Sequence, residues 1–222
     1  MPHQQPSTGG TLMNASTRLV APLLAGLVVL TGWIHRDAPA TYTFQSDSVL
    51  WFTGTSTLHD WACKTTTVEG RMTLQTGDEA APVLEDIDAL TVTIPVESIK
   101  CGNGIMENRL YETLQAETHP TITYVLTVAE VTPAEGDATA YTVVTEGRLT
   151  VADSTTTVAM TITGKPMADG RFRFTGKTPL RMTEVGVEPP AFMNLKTGDE
   201  MTVHFNVVAA PEAAGAASNG GS

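Results

Sequence analysis

Long runs in which threonine and apolar residues alternate constrain the fold of this chain more than any other feature. In the segment 157–163, for example, Val158, Met160 and Ile162 share one face, and threonines occupy most of the other. A period of two residues is typical of a β-strand, and one apolar face opposite a polar face is typical of an antiparallel sheet buried on one side. About eight such strands follow one another without a βαβ rhythm. The pattern therefore excludes a parallel sheet and leaves a closed up-and-down barrel or a sandwich.

One segment interrupts the alternation. After a strand that ends near Ile94, a Gly-Asn-Gly turn is followed by Ile105, Leu110 and Leu114 at near-helical spacing. His119-Pro120 ends this pattern, because the residue before proline avoids the helical region. The spacing predicts one short helical insert over about 104–117.

Both ends of the chain read as segments outside the fold. Arg18 precedes an uncharged apolar run, and Ala38-Pro39-Ala40 follows that run with the small residues of a signal-peptidase site. The run is shorter than the roughly 20 residues of a membrane span. We expect a cleaved signal peptide over 1–40, a folded domain over 41–209 and a disordered Ala/Gly/Ser-rich tail over 210–222. Such a chain is periplasmic or secreted and keeps no stable membrane anchor after cleavage.

The charge balance excludes some partners. The full chain carries a net charge of −11, and removal of Arg18, Arg36 and Asp37 with the signal leaves 23 acidic against 11 basic residues, a net of −12. An acidic surface repels phosphate groups, so the chain is a poor candidate for binding anionic membrane surfaces, and we expect no nucleic-acid partner.

The two cysteines, Cys63 and Cys101, both lie in the exported part. In an oxidising compartment, two cysteines with none left over predict one disulfide, worth about 4 kcal/mol on the loop-entropy model. A thiol nucleophile or a metal pair is the alternative, but no Cys-x-x-Cys and no histidine at ligand spacing supports it.

The most conspicuous polar cluster is His59-Asp60-Trp61. His59 and Asp60 either contact a ligand head group at a barrel mouth or belong to a loop hydrogen-bond network in which Trp61 plugs one barrel end. No Gly-x-Ser-x-Gly elbow, carboxylate dyad, metal-ligand spacing or cofactor fingerprint occurs. The sequence thus predicts neither an enzyme nor a cofactor or metal site.

Several motifs in a fixed order resemble the YceI family of bacterial exported proteins, over about 49–205. They are Gly54-Thr-Ser-Thr-Leu-His-Asp-Trp61, Ile94-Pro-Val-Glu-Ser-Ile-Lys-Cys-Gly-Asn103, Met106 through Tyr111, His119-Pro-Thr-Ile-Thr-Tyr124, Leu180-Arg-Met-Thr183, Pro189-Pro190 and Leu195-Lys-Thr-Gly-Asp199.

The resemblance implies an all-β, lipocalin-like, eight-stranded antiparallel barrel that binds a polyisoprenoid, such as a quinone or polyprenyl lipid, without catalysis. It also implies a periplasmic or secreted location and allows a homodimer. The apolar faces of the predicted strands would then contact the ligand; they include Trp51, Leu90, Val92, Ile94, Ile122, Tyr124, Leu126, Tyr141, Val143, Met160, Ile162, Phe172, Phe174, Met182, Val203 and Phe205. The alternative is a structural or stress-related interaction protein whose barrel is filled by side chains.

Overall fold

A computed structural model describes residues 39–77, 83–192 and 195–212 of the chain. The predicted signal peptide, apart from its last two residues, and the tail beyond residue 212 lie outside these ranges. The described part contains eleven β-strands and one α-helix. In chain order they are β1 Ala40–Phe44, β2 Val49–Ser56, β3 Trp61–Thr65, β4 Glu69–Gly77, β5 Val83–Pro95, α1 Gly104–Thr113, β6 Thr121–Pro133, β7 Tyr141–Val151, β8 Ser154–Pro166, β9 Phe172–Arg181, β10 Ala191–Phe192 and β11 Leu195–Pro211.

The sheet is antiparallel throughout and closes on itself. From β4 to β9 each strand pairs with the next in the chain, and β9 then pairs with β11. Closure occurs at β1, where Tyr42 pairs with Met72 of β4 on one side and with Pro211 of β11 on the other.

Eight wall positions result from the eleven strands. β1 and β2 both pair with β11, one after the other, and form one interrupted strand. β4 pairs with β1, and β3 pairs with β2, so β3 and β4 form the neighbouring interrupted strand. The two-residue β10 pairs only with β11. The predicted eight-stranded antiparallel barrel is therefore confirmed.

The helical insert begins where predicted and ends earlier. Asn103 caps α1, because its side-chain oxygen accepts the Ile105 N–H at 2.9 Å. After Thr113, Gln115 adopts a φ of 53°. The Gln115 N–H bonds the Glu112 carbonyl at 3.1 Å and the Ala116 N–H bonds the Tyr111 carbonyl at 2.9 Å. This pair of bonds is a Schellman motif, which ends the helix four residues before the predicted 117.

Glycines in the barrel wall make room for aromatic rings inside. A Cβ on Gly147 would lie 2.4 Å from the Tyr124 ring, and a Cβ on Gly176 would lie 2.5 Å from the Phe205 ring. Real side chains do not approach so closely, so each ring lies against bare backbone of a nearby strand. The two glycines thereby allow the rings to lie along the wall instead of standing into the interior.

One half of the interior is filled by side chains. Phe172, Val143 and Leu74 are fully buried there. The Phe172 ring packs edge-on against Tyr42, with centroids 5.7 Å apart, and also stacks on Phe174 at 6.1 Å. This core lies near the β6–β7 and β8–β9 connections. The opposite end, near the β7–β8 turn and α1, holds the cavity described next.

Candidate ligand-binding cavity

An apolar cavity of about 240 Å³ occupies the barrel between the filled core and α1. Every strand from β1 to β9, and β11, contributes to its lining, with inward-pointing residues at every second position. Apart from Tyr124 and three threonines, the lining side chains in the described part of the chain are aliphatic, aromatic, proline or methionine, and none of these carries a charge. Phe174 packs against Phe172 of the filled core and also lines the cavity, so the filled core and the cavity adjoin at its ring.

Twelve of the sixteen residues predicted to face the interior line this cavity. They are Leu90, Val92, Ile94, Ile122, Tyr124, Leu126, Met160, Ile162, Phe174, Met182, Val203 and Phe205. Tyr141, Val143 and Phe172 also pack into the interior, but in the filled core below the cavity.

The prediction that Trp51 faces the barrel interior is wrong. Its neighbours Leu50 and Phe52 line the cavity, so Trp51 points outward. There its ring stacks on His204 of β11, with centroids 4.9 Å apart and planes inclined by 4°. The backbone register sets this arrangement, because Trp51 and His204 are paired residues of adjacent strands.

Other lining residues were not predicted from the sequence. Phe44, Leu50, Phe52, Trp61, Met72, Thr145 and Thr178 are among them. Counting every second residue along β9 from Phe172 leads to Thr178. The same count along β7 from Tyr141 leads to Thr145. Because threonine lies on the polar face of most strands in this chain, neither threonine was predicted to face the interior.

Helix α1 covers one end of the cavity through Leu110, Thr113 and Leu114. Tyr111 attaches the helix to the segment that follows β5, since its hydroxyl donates to the Ile99 carbonyl at 2.8 Å and accepts from Lys100 Nζ at 2.7 Å. These bonds hold α1 against the barrel through Tyr111, a residue that does not line the cavity.

The predicted disulfide between Cys63 and Cys101 is confirmed. Next to it, Lys64 and Lys100 exchange two backbone hydrogen bonds, each 2.8 Å long. Because Cys101 directly precedes the turn and cap of α1, the disulfide and this bridge together fix the start of the insert to β3.

His59 and Asp60 lie in the β2–β3 loop and are exposed. The Ser56 hydroxyl donates to the His59 carbonyl at 2.7 Å and accepts the His59 N–H at 3.2 Å. His59 Nδ1 lies 2.8 Å from the Asp60 carbonyl oxygen. Neither residue lines the cavity, whereas Trp61 does, and its indole N–H donates to the Thr55 carbonyl at 3.0 Å. The hydrogen bonds of Ser56 and His59 are thus bonds that order the loop.

A second, polar concavity of about 730 Å³ adjoins the cavity and shares Trp61, Leu180 and Met201 with it. Its charged lining consists of Asp60, Glu184, Glu200 and Arg181. We call it the acidic groove. Three carboxylates against one guanidinium give it a negative potential, which disfavours anions.

Asp199 forms the junction between the acidic groove and the cavity end. Its carboxylate accepts the Thr183 N–H at 2.9 Å, the Thr183 hydroxyl at 2.8 Å and Arg181 Nε at 2.9 Å. The Thr183 N–H chiefly holds the pKa of Asp199 below its usual range, and the hydroxyl and guanidinium add to this effect. The junction positions the short 3₁₀ turn Thr183–Val185, whose Val185 lines the cavity.

This junction predicts a pH dependence of stability. Because the folded-state pKa of Asp199 is depressed, its stabilising effect is complete above the unfolded pKa of about 3.9 and is lost as pH falls through the folded pKa. The melting temperature of Asp199→Asn should therefore lie below that of the wild type at neutral pH, and the difference should shrink in acid. Thermal scans between neutral and strongly acidic pH measure it, and Asp153→Asn controls for the lost charge. A difference that does not change with pH would contradict the prediction.

The described residues also lack two features that would define other classes of protein. No helix among them is long and apolar enough to cross a membrane. No three histidine, cysteine, aspartate or glutamate side chains within residues 39–77, 83–192 and 195–212 are grouped as metal ligands would be.

Fold and cavity together define a small closed antiparallel barrel of the lipocalin-like type. The model of the YceI-like domain matches residues 40–209 of the chain. The protein belongs to this family. No curated protein sequence matches the chain.

Two solved structures share the fold. BcnA of Burkholderia cenocepacia is 19% identical, with a TM-score of 0.57 over 73% of this chain and 96% of that one. A polyisoprenoid binding domain from Saccharophagus degradans, implicated in plant cell wall breakdown, is 12% identical, with a TM-score of 0.60 over 78% of this chain and 99% of that one.

Proposed function

We propose that this protein is an exported lipid-binding protein that holds a polyisoprenoid, such as a quinone or polyprenyl lipid, or a similar long apolar chain in its barrel, without catalysis. The observation that carries the proposal is the apolar cavity of about 240 Å³ whose lining has no charged side chain. The binding of polyisoprenoid by the structurally similar Saccharophagus domain is consistent with it.

Burial of apolar surface supplies the binding energy. Each five-carbon isoprene unit would contribute about 3–4 kcal/mol on transfer from water, before ordering costs. A few units approach the practical limit of non-covalent affinity. Tail length beyond those units then adds little selectivity, and a polar group on the ligand sets the specificity.

The size of the cavity limits how much chain it holds. Its volume lies below the roughly 300–1,000 Å³ of typical small-molecule sites. Met72, Met160, Met182 and Met201 are in the lining, and their unbranched side chains adapt to different shapes. We infer that the barrel encloses part of a chain and that the remainder leaves near α1.

The charges outside the cavity favour a neutral ligand. Arg181 in the acidic groove is already paired with Asp199 at 2.9 Å. Lys100, near α1, hydrogen-bonds Tyr111 and lies 3.9 Å from Glu107. Both cations are thus engaged, so a quinone or another neutral lipid fits this chain better than a polyprenyl phosphate.

Other features support the proposed location and the proposed lack of catalysis. A disulfide persists in an oxidising compartment, which supports the periplasm or the exterior of the cell. Among the described residues of the cavity lining, Tyr124 is the one titratable side chain, so these residues offer no pair of groups for acid–base or nucleophilic catalysis.

The test compares two variants that place the same indole on opposite faces of β8. Met160 lines the cavity, whereas its neighbour Thr161 is exposed on the outside.

Protein purified gently from its native host should release an apolar compound on solvent extraction, detected by mass spectrometry. Overpacking of about 1–3 kcal/mol should weaken binding about 5- to 150-fold in Met160→Trp. Thr161→Trp should retain the compound. Wild-type protein without any extractable apolar compound, and without affinity for added lipid, would favour the structural alternative.

A further inference from the structure

Two hydroxyl groups in the cavity lining have no hydrogen-bond partner. They are Tyr124 Oη and Thr178 Oγ1, the two buried side-chain polar atoms without a partner among the described residues. The exposed fractions of Tyr124 and Thr178 are 8% and 7%. A buried polar group without a partner costs about 1–3 kcal/mol, so two of them in one apolar cavity require an explanation.

The strand register places both hydroxyls on one wall. The Tyr124 hydroxyl extends from β6 across Gly147 on β7, since a Cβ on Gly147 would lie 2.5 Å from it. Thr145, which precedes Gly147 by two residues on β7, pairs with Met160 of β8. The pairing of β8 with β9 ends at Ile162 and Gly176, and Thr178 follows two residues later on the same inward face of β9. Both hydroxyls therefore belong to the part of the cavity wall that β6 to β9 form.

Thr145 is a polar neighbour of the Tyr124 hydroxyl, but the two do not form a hydrogen bond. Thr145 uses its own hydroxyl to donate to the Met160 carbonyl at 3.3 Å. Burial raises the pKa of Tyr124, and the nearby Thr145 hydroxyl lowers it by less. The phenol therefore stays protonated and able to donate at neutral pH.

We propose that the ligand carries a neutral oxygen group, a carbonyl, ether or hydroxyl, at the depth of Tyr124 and Thr178. This inference rests on the proposed function and narrows its ligand class from any apolar chain to an oxygen-bearing lipid. A carbonyl oxygen accepts hydrogen bonds from hydroxyls, which rotate to suit it. An anionic group is disfavoured at this depth because none of the described lining side chains is a cation. Tyr124 and Thr178 are the residues that determine this specificity.

The test uses two probes of equal length, dodecane and 6-dodecanone, with delipidated full-length protein. Displacement of a fluorescent apolar dye gives the affinity for each probe, and the readout is the ratio of the two affinities. Loss of one hydrogen bond should lower the ketone-to-alkane ratio about threefold to tenfold in Tyr124→Phe and in Thr178→Val. Thr161→Val, which removes a hydroxyl from the outer face, should leave the ratio as in the wild type.

The outcomes distinguish this inference from the proposed function. If both probes bind and neither variant changes the ratio, the inference is overturned while the lipid-binding function stands; water on the two hydroxyls would give this result. If the wild type binds neither probe, both proposals fail. Circular dichroism spectra show whether each of the two variants folds. If one does not fold, the ketone-to-alkane ratio of the other variant decides whether the hydroxyls contact the ligand.

Discussion

Replacing both Cys63 and Cys101 with alanine is expected to lower the melting temperature by roughly 8–16 °C. The disulfide spans 38 residues, and closure of such a loop contributes about 4 kcal/mol by restricting the unfolded chain. In a domain of this size, each kcal/mol shifts the melting temperature by about 2–4 °C. Alanine avoids burial of a new hydroxyl at Cys63, which is 2% exposed. Thermal unfolding followed by circular dichroism measures the shift.

Reductant provides the internal control for this prediction. Reduced wild-type protein should melt close to the double variant, and the variant itself should not respond to reductant. A change below about 2 °C would contradict the loop-entropy estimate. Lipid release tests the role of α1 separately: faster release from the reduced protein would mean that the helix acts as a lid, whereas unchanged release would make it part of the scaffold.

Phe172→Ala is expected to cost about 3–5 kcal/mol of unfolding free energy. Phe172 is fully buried and packs against both Tyr42 and Phe174, so truncation leaves a void in the filled core. Urea unfolding measures the loss.

Trp51→Ala is the matched control, since both aromatic residues were predicted to face the interior. Trp51 stacks on His204 at the outer face, and loss of such a pair costs about 0.5–1.5 kcal/mol beyond its buried area. The cost at Phe172 should therefore clearly exceed that at Trp51. Equal costs would contradict the division between filled core and outer face.

Local periodicity and chemistry were enough to predict the antiparallel strands, whereas the closed eight-stranded barrel was predicted from the resemblance to the YceI family. Alternation identified the antiparallel strands, the near-helical spacing after the Gly-Asn-Gly turn predicted the helix, and two cysteines in a chain expected to be exported predicted the disulfide. Each of these features depends on neighbours in sequence or on a simple count, which is why the sequence alone reveals them.

Features that depend on register between strands were harder to predict. Alternation continues from Leu126 to Val128, yet a bulge between these residues shifts the pairing with β7. Val128 is consequently 56% exposed, and Ala129 and Val131 pack inward instead. A shift of one residue turns a strand over, and no local signal marks this one.

The cavity itself could not be predicted from periodicity, because the same inward pattern describes a hollow barrel and a filled one. Tyr141, Val143 and Phe172 pack in the filled core, whereas Tyr124, Met160 and Phe174 line the cavity. The difference depends on how side chains from opposite walls meet. The Trp51 error has a related cause: the apolar run from Val49 to Phe52 lacks alternation, and only pairing with His204 sets its phase.

Closure of the sheet also determines how copies of this protein can meet. A sheet edge presents unpaired N–H and C=O groups that recruit further strands, and this is a common start of aggregation. Here β1 occupies the edge that β11 would otherwise expose, so each of the eight described wall positions has a neighbour on both sides. The outer face of the wall instead presents apolar side chains to a second copy, such as the exposed Val125, Val128 and Val144 on β6 and β7.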